Sequence, residues 1–162
     1  FTNIFDQWQL ILIFLSVGSM ILGAVAAIGQ ENIKRLMAYS SIGHMGYALA
    51  GILTGTIEGT KSTIIYLTIY AVMNAGIFAC IFFMKRREKY VENIKDLSGL
   101  SKTNPLLAIG FLIMLFSLAG IPPLAGFFAK FYIFVAVLDS KLYLLISCYR
   151  TCYNSYFCIL LS

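Results

Sequence analysis

Residues 8–28, 36–55 and 62–84 are three successive runs made almost wholly of apolar side chains. At a rise of about 1.5 Å per residue, some 21 residues of helix span roughly 30 Å, the thickness of the bilayer hydrocarbon core. Hydrophobic residues make up 60% of the 162 and charged residues only 12%, with a mean hydropathy of +0.86. No water-soluble core hides that much apolar chain. The runs therefore predict an all-α integral membrane fold of about five transmembrane helices, with the later two at 105–138 and 142–161. Gly18, Gly23, Ala24, Ala26 and Ala27 give the first run a small-residue face suited to close helix packing.

The polar connections set the topology. Lys34 and Arg35 follow the first run, Glu58 and Lys61 the second, and Lys85, Arg86, Arg87, Lys89, Lys95 and Lys102 the third. Because the chain changes side at each span, the basic connections fall on one side and only Lys61 and Lys141 on the other, which assigns the basic side to the cytoplasm or the mitochondrial matrix. The net charge of +5 thus belongs to topology. Nucleic acid is not an expected partner, since the basic residues flank apolar runs and the aromatics lie inside them. Glu31 stands three residues before Lys34, within ion-pair reach if one helix holds both. Cys80, Cys148, Cys152 and Cys158 show neither a C-x-x-C pair nor a partnering histidine, so no disulfide or metal site is expected. The chain starts at Phe1 without a signal-peptide pattern and reads as a piece of a longer protein.

The run 105–138, about 34 residues, exceeds one straight span. Pro122 and Pro123 interrupt it. Proline has no amide hydrogen, so the carbonyls four residues earlier, on Leu118 and Ala119, lose their helical donors, and Gly120 and Gly126 are expected to loosen the turn further. A discontinuous fourth helix is the prediction. The last run is weakened by Arg150 and Asn154, which leaves 146–162 as an atypical tail with an imperfect final helix.

Ionisable groups at membrane depth carry the chemistry. Lys130 lies about eight residues before its run ends, roughly 12 Å below the interface by helical rise. A lysine there costs on the order of 3 kcal/mol or more unless it meets water, an anion or a carbonyl, which makes it a functional candidate; the alternative is a snorkelling anchor. His44 falls near the middle of the second run, and Ser40, His44, Tyr47, Gly51 and Thr54 share one helical face. A histidine can pass a proton between its ring nitrogens, or it can simply bond to a neighbouring helix; both readings are open. Tyr66, Tyr70 and Asn74, each four apart, form a similar polar stripe in the third run. Lys34 and Arg35 stand at the mouth of the second helix, where interfacial anchoring competes with a transport role.

Two stretches resemble a known family. QENIKRLMAYSSIGHMGY, residues 30–47, and SLAGIPPLAGFFAKFY, residues 117–132, are similar to signatures of the antiporter-like subunits of respiratory complex I. Within that family, a lysine at position 130 and the Asn104-Pro105 start of the broken helix resemble the branch called subunit N in bacteria and subunit 2 in mitochondria. The resemblance implies that the chain is the second of two inverted repeats in a subunit of about fourteen helices. It also implies a proton-pumping role without a redox centre on this chain. NADH, FMN, iron–sulfur clusters and quinone belong to the whole complex, and quinone reduction elsewhere would drive protonation changes.

On the same basis Lys130 is the protonatable residue of the broken helix and His44 a connecting group, while Tyr70 stands roughly where some sister subunits carry histidine. The expected partners are the other complex I membrane subunits, the N-terminal half of the same subunit and the lipid of a bacterial or mitochondrial inner membrane. After Leu145 the sequence departs from the family pattern, as a shifted reading frame or truncated gene would produce. Two rivals remain: a subunit of a multi-component cation/proton antiporter, and a structural half-subunit whose lysine serves assembly.

Overall fold

The computed structural model describes residues 2–86, 89–90, 93–97, 100–140, 142, 145–148 and 150–151. Helix α1 runs Thr2–Ile28, α2 Ile33–Leu53 and α3 Ile57–Phe83. A two-stranded antiparallel ribbon follows, β1 Lys85–Arg86 on β2 Lys89–Tyr90, with Lys85 opposite Tyr90. A 3-10 turn over Ile94–Leu97 and the short α4 Leu100–Thr103 lead to α5 Pro105–Ala119 and α6 Ala125–Asp139. Most of the 146–162 tail, including its proposed final helix and Cys152 and Cys158, lies outside the described residues.

Local chemistry explains the boundaries. Asn32 caps α2, its side-chain oxygen accepting from the amides of Lys34 at 3.0 Å and Arg35 at 3.4 Å. The Thr56 hydroxyl caps α3 by accepting from Gly59 N at 3.0 Å. Pro105 opens α5 at a position where its missing amide hydrogen costs nothing. Because α2 begins at Ile33, Glu31 stands outside the helix, so the condition that one helix hold both Glu31 and Lys34 is not met. Its carboxylate meets Lys95 at 3.6 Å, and with both side chains more than four-fifths exposed the pair adds little stability. The Ile94 amide donates to the Glu31 carbonyl at 2.9 Å, and Asn32 bridges Asn93. The segment 93–97 is thereby fastened to the α1–α2 connection.

Helix α1 packs along α2, while α3 packs against α2, α5 and α6, and α2 also touches α6 directly. Ser16, Met20, Ala24 and Ala27 form the buried face of α1, and a Cβ on Gly46 of α2 would press on Ser19 and Met20. Gly18, expected on that face, has nothing within 4 Å of where its Cβ would stand. One core gathers Met20, Tyr47, Tyr66, Ala129, Ile133 and Leu145; a second gathers Met37, Tyr70, Met73, Ile77, Phe111 and Leu118. Large apolar side chains also point outward, among them Phe14, Leu22, Val72, Phe83 and Leu106. Residues 8–28 of α1 and the whole of α3 are long and apolar enough to cross a membrane. Helices α5 and α6, with 15 residues each, are about 22 Å long, shorter than the hydrocarbon core.

Candidate functional site

The chain breaks between α5 and α6. Gly120 terminates α5 in the left-handed conformation, φ 86°, which glycine adopts without a Cβ clash. Its amide donates back to the carbonyls of Phe116 at 3.1 Å and Ser117 at 3.0 Å, and the Ile121 amide also reaches Phe116 at 3.1 Å. The Pro122-Pro123 bond is cis. With both prolines lacking an amide hydrogen, the carbonyls of Leu118 and Ala119 need donors from elsewhere.

Lys130 supplies them. From the second turn of α6 its Nζ donates to Leu118 O at 2.9 Å and to Ala119 O at 3.2 Å. Only 3% of the residue is exposed. The free carbonyls at a helix C-terminus form the negative end of its dipole, so α5 presents a fixed site for a cation inside the bundle. The Tyr47 ring lies 5.6 Å from the same Nζ, within cation–π range.

Gly126 makes this approach possible, though not as expected. Among the described glycines the positive-φ positions are Gly55 and Gly120, so Gly126 does not loosen the turn. It lets α6 come against the end of α5: a Cβ there would collide with the Ser117 carbonyl.

His44, on α2 and 2% exposed, also lies beside Tyr47, whose ring centroid is 6.1 Å from the imidazole. His44 Nδ1 and the Tyr66 hydroxyl are 2.6 Å apart, a hydrogen bond whose direction depends on the imidazole tautomer. Tyr70 lies 5.0 Å from the imidazole and stacks on Tyr66, with centroids 6.4 Å apart. The structure thus gathers Lys130, Tyr47, His44, Tyr66 and Tyr70. Tyr66, not Tyr70, gives His44 its short hydroxyl contact; the four-residue spacing put both on one face but left open which turn would meet the histidine.

Asn74 is half-buried on α3, eight residues beyond Tyr66 and so roughly 12 Å along the helix. Lys34 is half-buried in the first turn of α2, roughly 15 Å from His44 by the same measure. Asn74 is one turn beyond Tyr70 of the cluster, and Lys34 stands at the start of α2. Among the described residues no three His, Cys, Asp or Glu side chains converge as a metal site would require.

Comparison with known proteins bears on this arrangement. The family described as "NADH:quinone oxidoreductase/Mrp antiporter, TM" matches residues 1–153. The chain is 64% identical over 145 residues to NADH-quinone oxidoreductase subunit N of Pelagibacter ubique, which covers 90% of this chain and 31% of that protein. It therefore spans about a third of that relative's length. Among solved structures, a chain of respiratory complex I from Thermus thermophilus with bound NADH superposes with a TM-score of 0.85 at 28% identity, covering 97% of this chain and 33% of that one. A chain of the Mrp complex from Dietzia sp. gives 0.83 at 28% identity, covering 95% and 28%. With a family match over nearly its whole length, the chain belongs to the NADH:quinone oxidoreductase/Mrp antiporter transmembrane family.

Proposed function

We propose that this chain is part of a proton-translocating membrane subunit of NADH-quinone oxidoreductase, in which Lys130 takes up and releases the transported proton. The observation that carries the reading is the seating of Lys130 Nζ on the two carbonyls at the end of α5. In this reading α5 and α6 together make one discontinuous crossing, and the chain is the second of two inverted repeats. The other complex I membrane subunits and the first repeat cover its remaining surfaces. Its place is a multi-pass position in a bacterial inner membrane, with the mitochondrial inner membrane as the alternative. NADH, FMN, iron–sulfur clusters and quinone act elsewhere in the complex.

The residues divide the work by chemistry. As an ammonium, Lys130 satisfies both carbonyls with charge-assisted hydrogen bonds. As a neutral amine it still donates to them but gains a lone pair to receive the next proton. His44 relays: a proton taken at Nε2 is released from Nδ1 toward the Tyr66 hydroxyl at 2.6 Å. Tyr47 is near both basic groups, 5.6 Å from Lys130 Nζ and 6.1 Å from the His44 ring, and in this reading its hydroxyl passes the proton from one to the other. Tyr70 and Asn74 extend the polar stripe along α3, and Lys34 stands at the end of α2 on the basic side of the membrane.

Lys130→Ala in the full-length subunit tests this. The expected result is an assembled complex that oxidises NADH with quinone but moves no protons through this subunit; wild-type pumping would remove Lys130 from the mechanism. A second reading, a cation/proton antiporter subunit, is favoured by the Mrp superposition. Transport driven by NADH oxidation rather than by a sodium gradient separates the two.

A further inference from the structure

Helix α6 begins without a cap of its own. Its N-cap residue is Leu124, whose side chain makes no capping hydrogen bond. An N-cap side chain ordinarily accepts from the amide of the second or third helical residue, which here are Gly126 and Phe127. The Phe127 amide turns back to Leu124 O at 3.0 Å. The Gly126 amide donates instead to Ser117 Oγ at 3.2 Å, nine residues earlier in the last turn of α5. The same hydroxyl donates to Met73 Sδ of α3 at 2.8 Å. Ser117 is 6% exposed, so water does not readily replace either contact.

The position of this borrowed cap gives it a consequence for the lysine. Gly126 and Lys130 are four apart and so share a face of α6. That face meets the end of α5 twice: Gly126 against Ser117, and one turn on, Lys130 against the carbonyls of the next two residues, Leu118 and Ala119. A slip of α6 by a fraction of a turn would carry Nζ off both oxygens, because a hydrogen bond weakens steeply beyond about 3.2 Å.

We infer that Ser117 is a positioning residue for proton translocation: its hydroxyl caps α6 from α5, ties both to Met73 of α3, and so fixes Lys130 over the Leu118 and Ala119 carbonyls. The inference rests on the proton-carrying role of Lys130.

The test uses the full-length subunit in the assembled complex and reads protons translocated per NADH oxidised. Thr and Val have nearly the same shape, so Ser117→Thr and Ser117→Val separate the hydroxyl from the added volume, and Ser117→Ala removes the hydroxyl without adding any. Loss of a cap of this kind shifts an equilibrium by roughly fivefold. Ser117→Ala and Ser117→Val are therefore expected to lose part of the proton ratio that Lys130→Ala loses, with electron transfer retained, while Ser117→Thr keeps it near wild type. A wild-type ratio in Ser117→Ala, or equal losses in the Thr and Val variants, would overturn the positioning role. Lys130→Ala is measured alongside. If it abolishes pumping while Ser117→Ala leaves it intact, the Ser117 assignment alone fails; if it pumps normally, the Lys130 reading fails and this inference with it.

Discussion

At Lys130 opposing effects act on one amine. Burying an ammonium costs several kcal/mol even after the protein relaxes. Against that stand two hydrogen bonds from a charged donor, about 1.5–3 kcal/mol each, and a cation–π contact of up to about 2 kcal/mol when desolvated. The gains and the penalty are of similar size, so its contacts rather than exposure to water offset the burial of the lysine. The loss of donors at Leu118 and Ala119 was legible from Pro122 and Pro123, and a buried place for Lys130 from its apolar run. That the lysine serves those carbonyls was not, because the contact spans eleven and twelve residues across a bend whose angle no local pattern sets. Tyr66 illustrates the same limit: its face was readable, its meeting with His44 depends on the α2–α3 register, where Gly51 lies against Thr63. Tyr66→Phe deletes the hydroxyl and leaves His44 Nδ1 short of its partner, a loss of about 1–3 kcal/mol. In proton-uptake assays of the assembled complex it should impair pumping more than Tyr70→Phe; the reverse order would make Tyr70 the relay partner.

At the scale of elements, α6 comes close to α5 where Gly126 lies against Ser117. Gly126→Ala places a methyl group against the Ser117 backbone carbonyl, which cannot move aside as a flexible side chain could. Overpacking of this kind costs about 1–3 kcal/mol. A lowered thermal transition of the detergent-solubilised complex is expected. Gly18→Ala is the control: its Cβ meets nothing within 4 Å in the middle of α1. There alanine gains up to about 1 kcal/mol of helix propensity, and the transition should hold or rise. In the sequence the two glycines look alike, each inside an apolar run. Only the approach of a neighbouring backbone distinguishes them, and that approach is a tertiary fact.

Among the described residues Lys130, His44 and several hydroxyl side chains are buried while many large apolar side chains face out, as a lipid or protein environment in the membrane demands. The bridge between Asn32 and Asn93 brings the two basic stretches to the same end of the bundle. This agrees with the alternation of sides read from the lysine and arginine counts, which needed only run lengths and charge. The central claim is that this bundle carries protons on Lys130. The most direct measurement is the number of protons translocated per NADH oxidised by vesicles holding the complex with Lys130→Met, a substitution close in length that cannot be protonated. The account predicts a lower ratio than wild type with NADH-to-quinone electron transfer still present. An unchanged ratio in a fully assembled complex would contradict it.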